Sequence, residues 1–268
     1  MILFPPAKIN LGLQILSKRS DGFHEIETCM VPIPFYDILE VTLSAAFSFE
    51  QTGIKIPGAV GENLCEKAFS LLKSRYSIGN VRIHLRKQIP IGAGLGGGSS
   101  DAAHVLLALN ELFALKLDIE ILCLLAAELG SDCPFFIRNE PQLAKGRGEV
   151  LRPISLNLKG TYCILLNPKV DVSTKEAYAG VSPKKPEKTL QELLTLPIEL
   201  WPALLQNDFE ESVFKVHPEI TQLKSELEKT SACYVSMSGS GASVFALYNE
   251  EHEVPSSLTS SVLAKFYL

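Results

Sequence analysis

The sequence predicts a protein of mixed helices and strands in two domains, and three observations lead there. At 268 residues the chain exceeds the usual size of a single domain. Its first half alternates segments of strand-like and helix-like period. Between one such strand and one such helix lies a glycine-dense turn, the arrangement in which backbone amides commonly bind phosphate.

The elements follow in order. Ala7 to Leu16 reads as a strand and Ile38 to Leu43 as another, while Asn63 to Leu72 has helical spacing. Residues 81–86, Val-Arg-Ile-His-Leu-Arg, alternate apolar and polar without a miss, which predicts a half-exposed strand. The glycine turn comes next, then a helix over Asp101 to Leu115 with Ser99, Ser100 and Asp101 as capping candidates. A second helix is expected from Ile119 to Leu129, closed by Gly130. The stretch Lys145 to Glu149 reads as a turn, and a domain boundary is placed near residue 150, giving domains 1–150 and 151–268. Beyond it come a short apolar strand at Thr161 to Leu166 and a lysine- and proline-rich surface loop from Val181 to Lys188. Two or three helices between Leu190 and Lys229 and a strand containing Val244 to Leu247 complete the reading.

Composition narrows the class. Hydrophobic residues make up 46% and charged residues 21%, which argues for a packed globular protein over a disordered one. A net charge of −5 gives no reason to expect nucleic acid or an anionic membrane as partner. No apolar run approaches the roughly eighteen residues of a membrane span, and Met1 to Pro5 lacks the features of a signal peptide. The six cysteines are scattered without metal-ligand spacing, so they are expected to be reduced thiols of a cytoplasmic protein.

The glycine turn carries the chemistry. Pro90-Ile91-Gly92-Ala93-Gly94-Leu95-Gly96-Gly97-Gly98-Ser99-Ser100 holds five glycines, which remove Cβ atoms where backbone must approach a ligand. The helix behind it points its unpaired N–H groups at that ligand. It is not a P-loop, because Ser99 and not lysine follows Gly98. It is a poor dinucleotide fingerprint too: the G-x-G-x-x-G spacing is met only with Gly97 as last glycine, and Leu117 stands where an acidic residue is wanted, with Asp118 next to it. An oligophosphate is the expected guest. Elsewhere, Lys8 sits among apolar residues of a strand with Asn10 on the same face, and a lysine buried there needs a partner.

Residues 90–103 resemble the central motif of the GHMP small-molecule kinases, which include galactokinase, homoserine kinase and mevalonate kinase. Pro6 to Leu11 resembles the N-terminal motif of that superfamily and Ser236 to Phe245 the C-terminal one, so three motifs occur in order across nearly the whole chain. Four local features, Arg19 to Glu25, the triple glycine with Ser-Ser, Gly130 to Phe136, and Asn207-Asp208-Phe209-Glu210, are similar to one branch of it. That branch phosphorylates 4-diphosphocytidyl-2-C-methyl-D-erythritol in non-mevalonate isoprenoid biosynthesis. The resemblance implies a two-domain α+β fold. Its N-terminal domain would be like the second domain of a small-subunit ribosomal protein and its C-terminal domain ferredoxin-like, with the active site in the cleft between.

The same resemblance implies ATP and Mg²⁺ as cofactors and assigns roles. Asp132 would act as base and Lys8 would stabilise developing negative charge. Residues 90–100 would hold the phosphates, and Ser100 would offer its hydroxyl to Mg²⁺. A second metal-facing carboxylate stays open among Glu120, Glu128 and Asp101. Asn63 and Lys87 match base-pocket positions, and Asn10, Phe23, His24, Ser173 and Thr174 match substrate positions. Phe23 replaces the tyrosine common in the branch, which keeps aromatic stacking on a pyrimidine and loses a hydroxyl. Gly239-Ser240-Gly241 is expected to make a tight turn against the phosphate loop. Two alternatives remain: a GHMP kinase for another alcohol, and a ligand-binding relative without catalysis, although the latter is expected to lack Lys8 or Asp132.

Overall fold

Strands and helices, numbered separately along the chain, are those of a computed structural model that describes residues 1–59 and 61–268. Packing divides the chain into two units that interleave in sequence: 1–8, 35–91 and 96–140 form the first, and 9–34, 92–95 and 141–268 the second. The chain therefore crosses between the units several times. The reason is pairing: β2 (Pro6–Lys18) and β3 (His24–Tyr36) lie beside β7 (Gln142–Gly146) and β8 (Val150–Pro153) in one sheet, ordered β2-β3-β7-β8, which draws residues 9–34 to the second unit.

In the first unit, β1 (Ile2–Leu3), β4 (Ile38–Ser44), β6 (Asn80–Lys87) and β5 (Ser48–Gly53) form a sheet in the order β1-β4-β6-β5. The alternation read in β6 is real, since Val81, Ile83 and Leu85 are buried while Arg82 and Arg86 are exposed. Among the described residues this unit holds α1 (Leu64–Arg75), α2 (Gly97–Leu112), α3 (Ile119–Leu129) and α4 (Cys133–Arg138). Helix α2 is its centre, with Ala102, Ala103, Val105, Leu106, Ala108 and Leu109 fully buried; alanines let neighbouring helices approach closely.

Helix α2 begins four residues earlier than expected. Gly96, left-handed at φ +69°, is its N-cap and supplies no side-chain bond, so Ser99, Ser100 and Asp101 lie within the first turns as helical residues. Serines and an aspartate look like caps in sequence, but the helix has already begun at Gly97 when the chain reaches them.

In the second unit, β9 (Tyr162–Leu166), β10 (Tyr234–Met237), β11 (Val244–Tyr248) and β12 (Val262–Tyr267) make an antiparallel sheet ordered β10-β11-β9-β12. Register pairs Met237 with Val244, so residues 238–243 are the hairpin connection. Helices α5 (Thr174–Ala179), α6 (Leu190–Leu194), α7 (Trp201–Leu204), α8 (Glu210–Val216) and α9 (Pro218–Glu228) belong to this unit, and the last four lie where two or three were expected. Its core joins Leu13 and Ile15 of β2 with Ile164, Leu166, Phe209, Val213, Met237 and Val244. No helix among the described residues is long and apolar enough to cross a membrane.

Candidate active site

Lys8 comes from β2 and Asp132 from the residue before α4. The ammonium nitrogen lies 3.8 Å from Asp132 Oδ2, with side-chain exposures of 5% and 31%. Burial pushes the Lys8 pKa down and the Asp132 charge opposes that shift. Asp132 sits at the helix start, yet its carboxylate makes no capping bond, which leaves it turned to other work. Gly96 belongs to the same cluster: a Cβ there would come 2.8 Å from the Phe136 ring and 3.2 Å from Lys8 Cε. Glycine at this position lets the start of α2 close over the lysine stem.

The glycine turn alternates its handedness. Gly92, Gly94 and Gly96 have φ of +61°, +74° and +69°, whereas Ala93 and Leu95 between them stay at negative φ. Alternation of this kind turns successive N–H groups to one side and makes an anion-binding concavity. The turn from the C-terminal motif does pack on it. Ser238 Oγ donates to Gly94 O at 2.9 Å, Ser243 N–H donates to Ala93 O at 3.1 Å, and a Cβ on Gly94 would lie 1.9 Å from Ser238 O.

Lys87, expected in a base pocket, is buried at 2% exposure with its ammonium between two carboxylates. It donates to Asp37 and, at 2.8 Å, to Asp101. Burial works against that charge, but the two carboxylates outweigh it and hold the pKa above the ordinary lysine value. Asp101 is pushed up as well, out of the carboxylate range, by burial that Lys87 only partly offsets. Asp37 also accepts from the N–H groups of Gln88 and Ile89 at 2.5 and 2.9 Å, so the triad anchors the chain entering the glycine turn. Asp37 was missed in the sequence because it lies fifty residues away from its lysine. Asn63 caps α1, accepting from Cys65 N–H at 2.8 Å.

The carboxylates considered for a metal are differently disposed. Glu120 pairs with Arg138 and Glu128 makes a two-oxygen contact with Arg75, both at the surface, while Asp101 faces Lys87. Ser100 Oγ is buried without a hydrogen-bond partner. No cluster of three or more His, Cys, Asp or Glu suited to a metal occurs among the described residues. A magnesium ion carried by phosphate oxygens and water needs only one or two protein oxygens, and the Ser100 hydroxyl and Asp132 carboxylate are donors of the right hardness.

The residues expected at the substrate lie in the second unit. Asn10 is buried, donates to Thr28 Oγ1 at 3.0 Å and faces Ser238 Oγ at 3.4 Å. Phe23 is 55% exposed directly before β3, and the Arg147 guanidinium lies 5.0 Å from its ring centre. His24 stacks on Tyr178 with centroids 4.8 Å apart and planes 12° from parallel. Ser173 caps α5 by accepting from Glu176 N–H, and Thr174 is the exposed first residue of that helix.

Comparison with known proteins gives the same direction. The profile for the GHMP kinases N terminal domain matches residues 63–140, and that for the GHMP kinases C terminal matches 187–260. A 4-diphosphocytidyl-2-C-methyl-D-erythritol kinase of Cytophaga hutchinsonii is 48% identical over 263 residues, 98% of this chain and 97% of its own. One of Parabacteroides distasonis is 49% identical over 250 residues, 93% and 92% of the two chains. A crystal structure of 4-(cytidine 5'-diphospho)-2C-methyl-D-erythritol kinase superposes with a TM-score of 0.78 at 35% identity, covering 93% of this chain and 91% of that one.

Proposed function

Because this chain belongs to the 4-diphosphocytidyl-2-C-methyl-D-erythritol kinases of the GHMP family, we propose that it moves the γ-phosphoryl group of ATP onto the 2-hydroxyl of that cytidylyl alcohol, a step of isoprenoid precursor synthesis. The observation that carries the reading is the meeting of buried Lys8 with Asp132 beside the start of α2.

Phosphoryl transfer to an alcohol asks little covalent chemistry of a protein and much positioning and charge. Asp132, half-exposed and free of a capping duty, accepts the proton of the attacking hydroxyl. Lys8, its charge sustained by Asp132, spreads the negative charge that grows on the transferring group. The amides of the glycine turn and of the first turn of α2 hold the phosphates. Ser100 would hold Mg²⁺ by its buried hydroxyl, and the ion would supply further charge neutralisation. Phe23 offers an aromatic face to the cytosine, with Arg147 covering its other side. Asn10 and His24 complete the alcohol's site, and Ser173 and Thr174 border it.

The test is a panel. The protein is incubated with ATP, Mg²⁺ and, separately, the cytidylyl erythritol, mevalonate, homoserine and galactose. Phosphorylation of the first alone is expected, and its absence overturns the substrate.

A further inference from the structure

The motif Asn207-Asp208-Phe209-Glu210 has no part in the chemistry above, yet it grips the element that holds the phosphate turn. The Asn207 side-chain amide donates two bonds of 2.8 Å, one to Met237 O and one to Gly239 O, so a single NH₂ group spans the entry to the 238–243 hairpin connection. Its oxygen is held in turn by Phe209 N–H at 3.0 Å. Glu210 accepts from Met237 N–H at 2.8 Å and is backed by Lys224 at 2.6 Å. Asn207 is 3% exposed, and all three of these amide hydrogen bonds are shielded from water, where their loss leaves carbonyls unsatisfied.

From that entry the connection reaches the phosphate turn. Ser238 Oγ binds Gly94 O and Ser243 N–H binds Ala93 O. A trans peptide is planar with its C=O and the following N–H opposed, so fixing the carbonyls of 93 and 94 aims the N–H groups of Gly94 and Leu95 away from the connection. Those amides lie in the alternating run of φ that shapes the concavity.

We propose that Asn207 is a positioning residue for the phosphate donor: through Met237 and Gly239 it sets the Ser238 turn, which orients the peptide planes of the glycine turn. The inference rests on the kinase reading. It is read by ADP affinity in the absence of alcohol, so it separates from the identity of the alcohol.

The experiment uses the full chain and two readouts: calorimetric binding of ADP without alcohol, and steady-state KM for ATP and for the cytidylyl alcohol. Asn207→Asp places a carboxylate against two carbonyls and is expected to weaken ADP binding and raise the ATP KM by about tenfold or more. The alcohol KM is expected to stay within about twofold. Ser238→Ala, a smaller change, tests the second link and should weaken ADP binding about fivefold. The double variant should be no weaker than Asn207→Asp alone, because both act along one path. ADP affinity unchanged in folded Asn207→Asp or Ser238→Ala overturns the proposal, as does an equal rise in both KM values. A wild type that binds ADP but ignores the cytidylyl alcohol overturns the substrate reading and leaves this test intact.

Discussion

The ammonium of Lys8 stands 3.8 Å from the carboxylate of Asp132, beyond hydrogen-bonding distance and well within Coulomb range. An ion pair closed for stability would sit tighter. On this pair rests the first expectation. Asp132→Asn and Lys8→Ala should each lower kcat about 10³-fold or more while ADP binding persists. Normal turnover in either variant would remove the assigned roles.

Lys8 should also register in stability against pH. Its folded pKa is lowered, chiefly by burial, so between that value and the ordinary 10.5 the unfolded chain binds more protons and unfolding free energy rises with pH. Lys8→Met removes the group. At pH 7.5 it is expected to be the more stable protein by about 1 kcal/mol, with the difference shrinking toward pH 10. Urea titrations at three pH values decide it; a constant difference counts against the lowered pKa.

Lys87 predicts the opposite balance. Lys87→Met strands Asp37 and Asp101 as uncompensated buried carboxylates, so unfolding free energy should fall by about 3–5 kcal/mol. A loss below about 1 kcal/mol, measured by urea unfolding at neutral pH, would mean the triad is not held as described.

Gly94→Ala combines two faults: left-handed backbone at φ +74° and a methyl 1.9 Å from Ser238 O. The turn must move, and ADP affinity should drop about a hundredfold, since both the φ pattern and the carbonyl contacts change together. Calorimetry on the folded variant reads this directly.

Phe23→Ala should raise KM for the cytidylyl alcohol about tenfold, the range of one base–aromatic stack, and leave the ATP KM alone. Phe23 is exposed, so stability should be unchanged. A KM that does not move would place cytosine elsewhere.

Much of this molecule was legible in its letters, and the exceptions have physical reasons. β4, β6, α1 and α3 announced themselves by period, and α3 also by its closing Gly130. β3 did not: its residues Thr28 to Val31 are buried consecutively, so no alternation marks them, and Pro32 and Pro34 read as breakers. The glycine turn was recognisable from composition alone, but its alternating handedness was not. Lys8 and Asp132 were findable because motifs flank both. What Lys87 touches was not legible, because Asp37 lies fifty residues away and nothing in the local pattern connects the two.

The alternating run of φ from Gly92 to Gly96 has one last consequence, for discrimination among donors. A turn made of glycine, alanine and leucine offers a guest only main-chain amides, and amides recognise charge and curvature. Adenine and guanine triphosphates are identical in those respects. Preference for one purine over the other must therefore be decided by side chains outside residues 92–96, and mutations that alter that preference should be sought there.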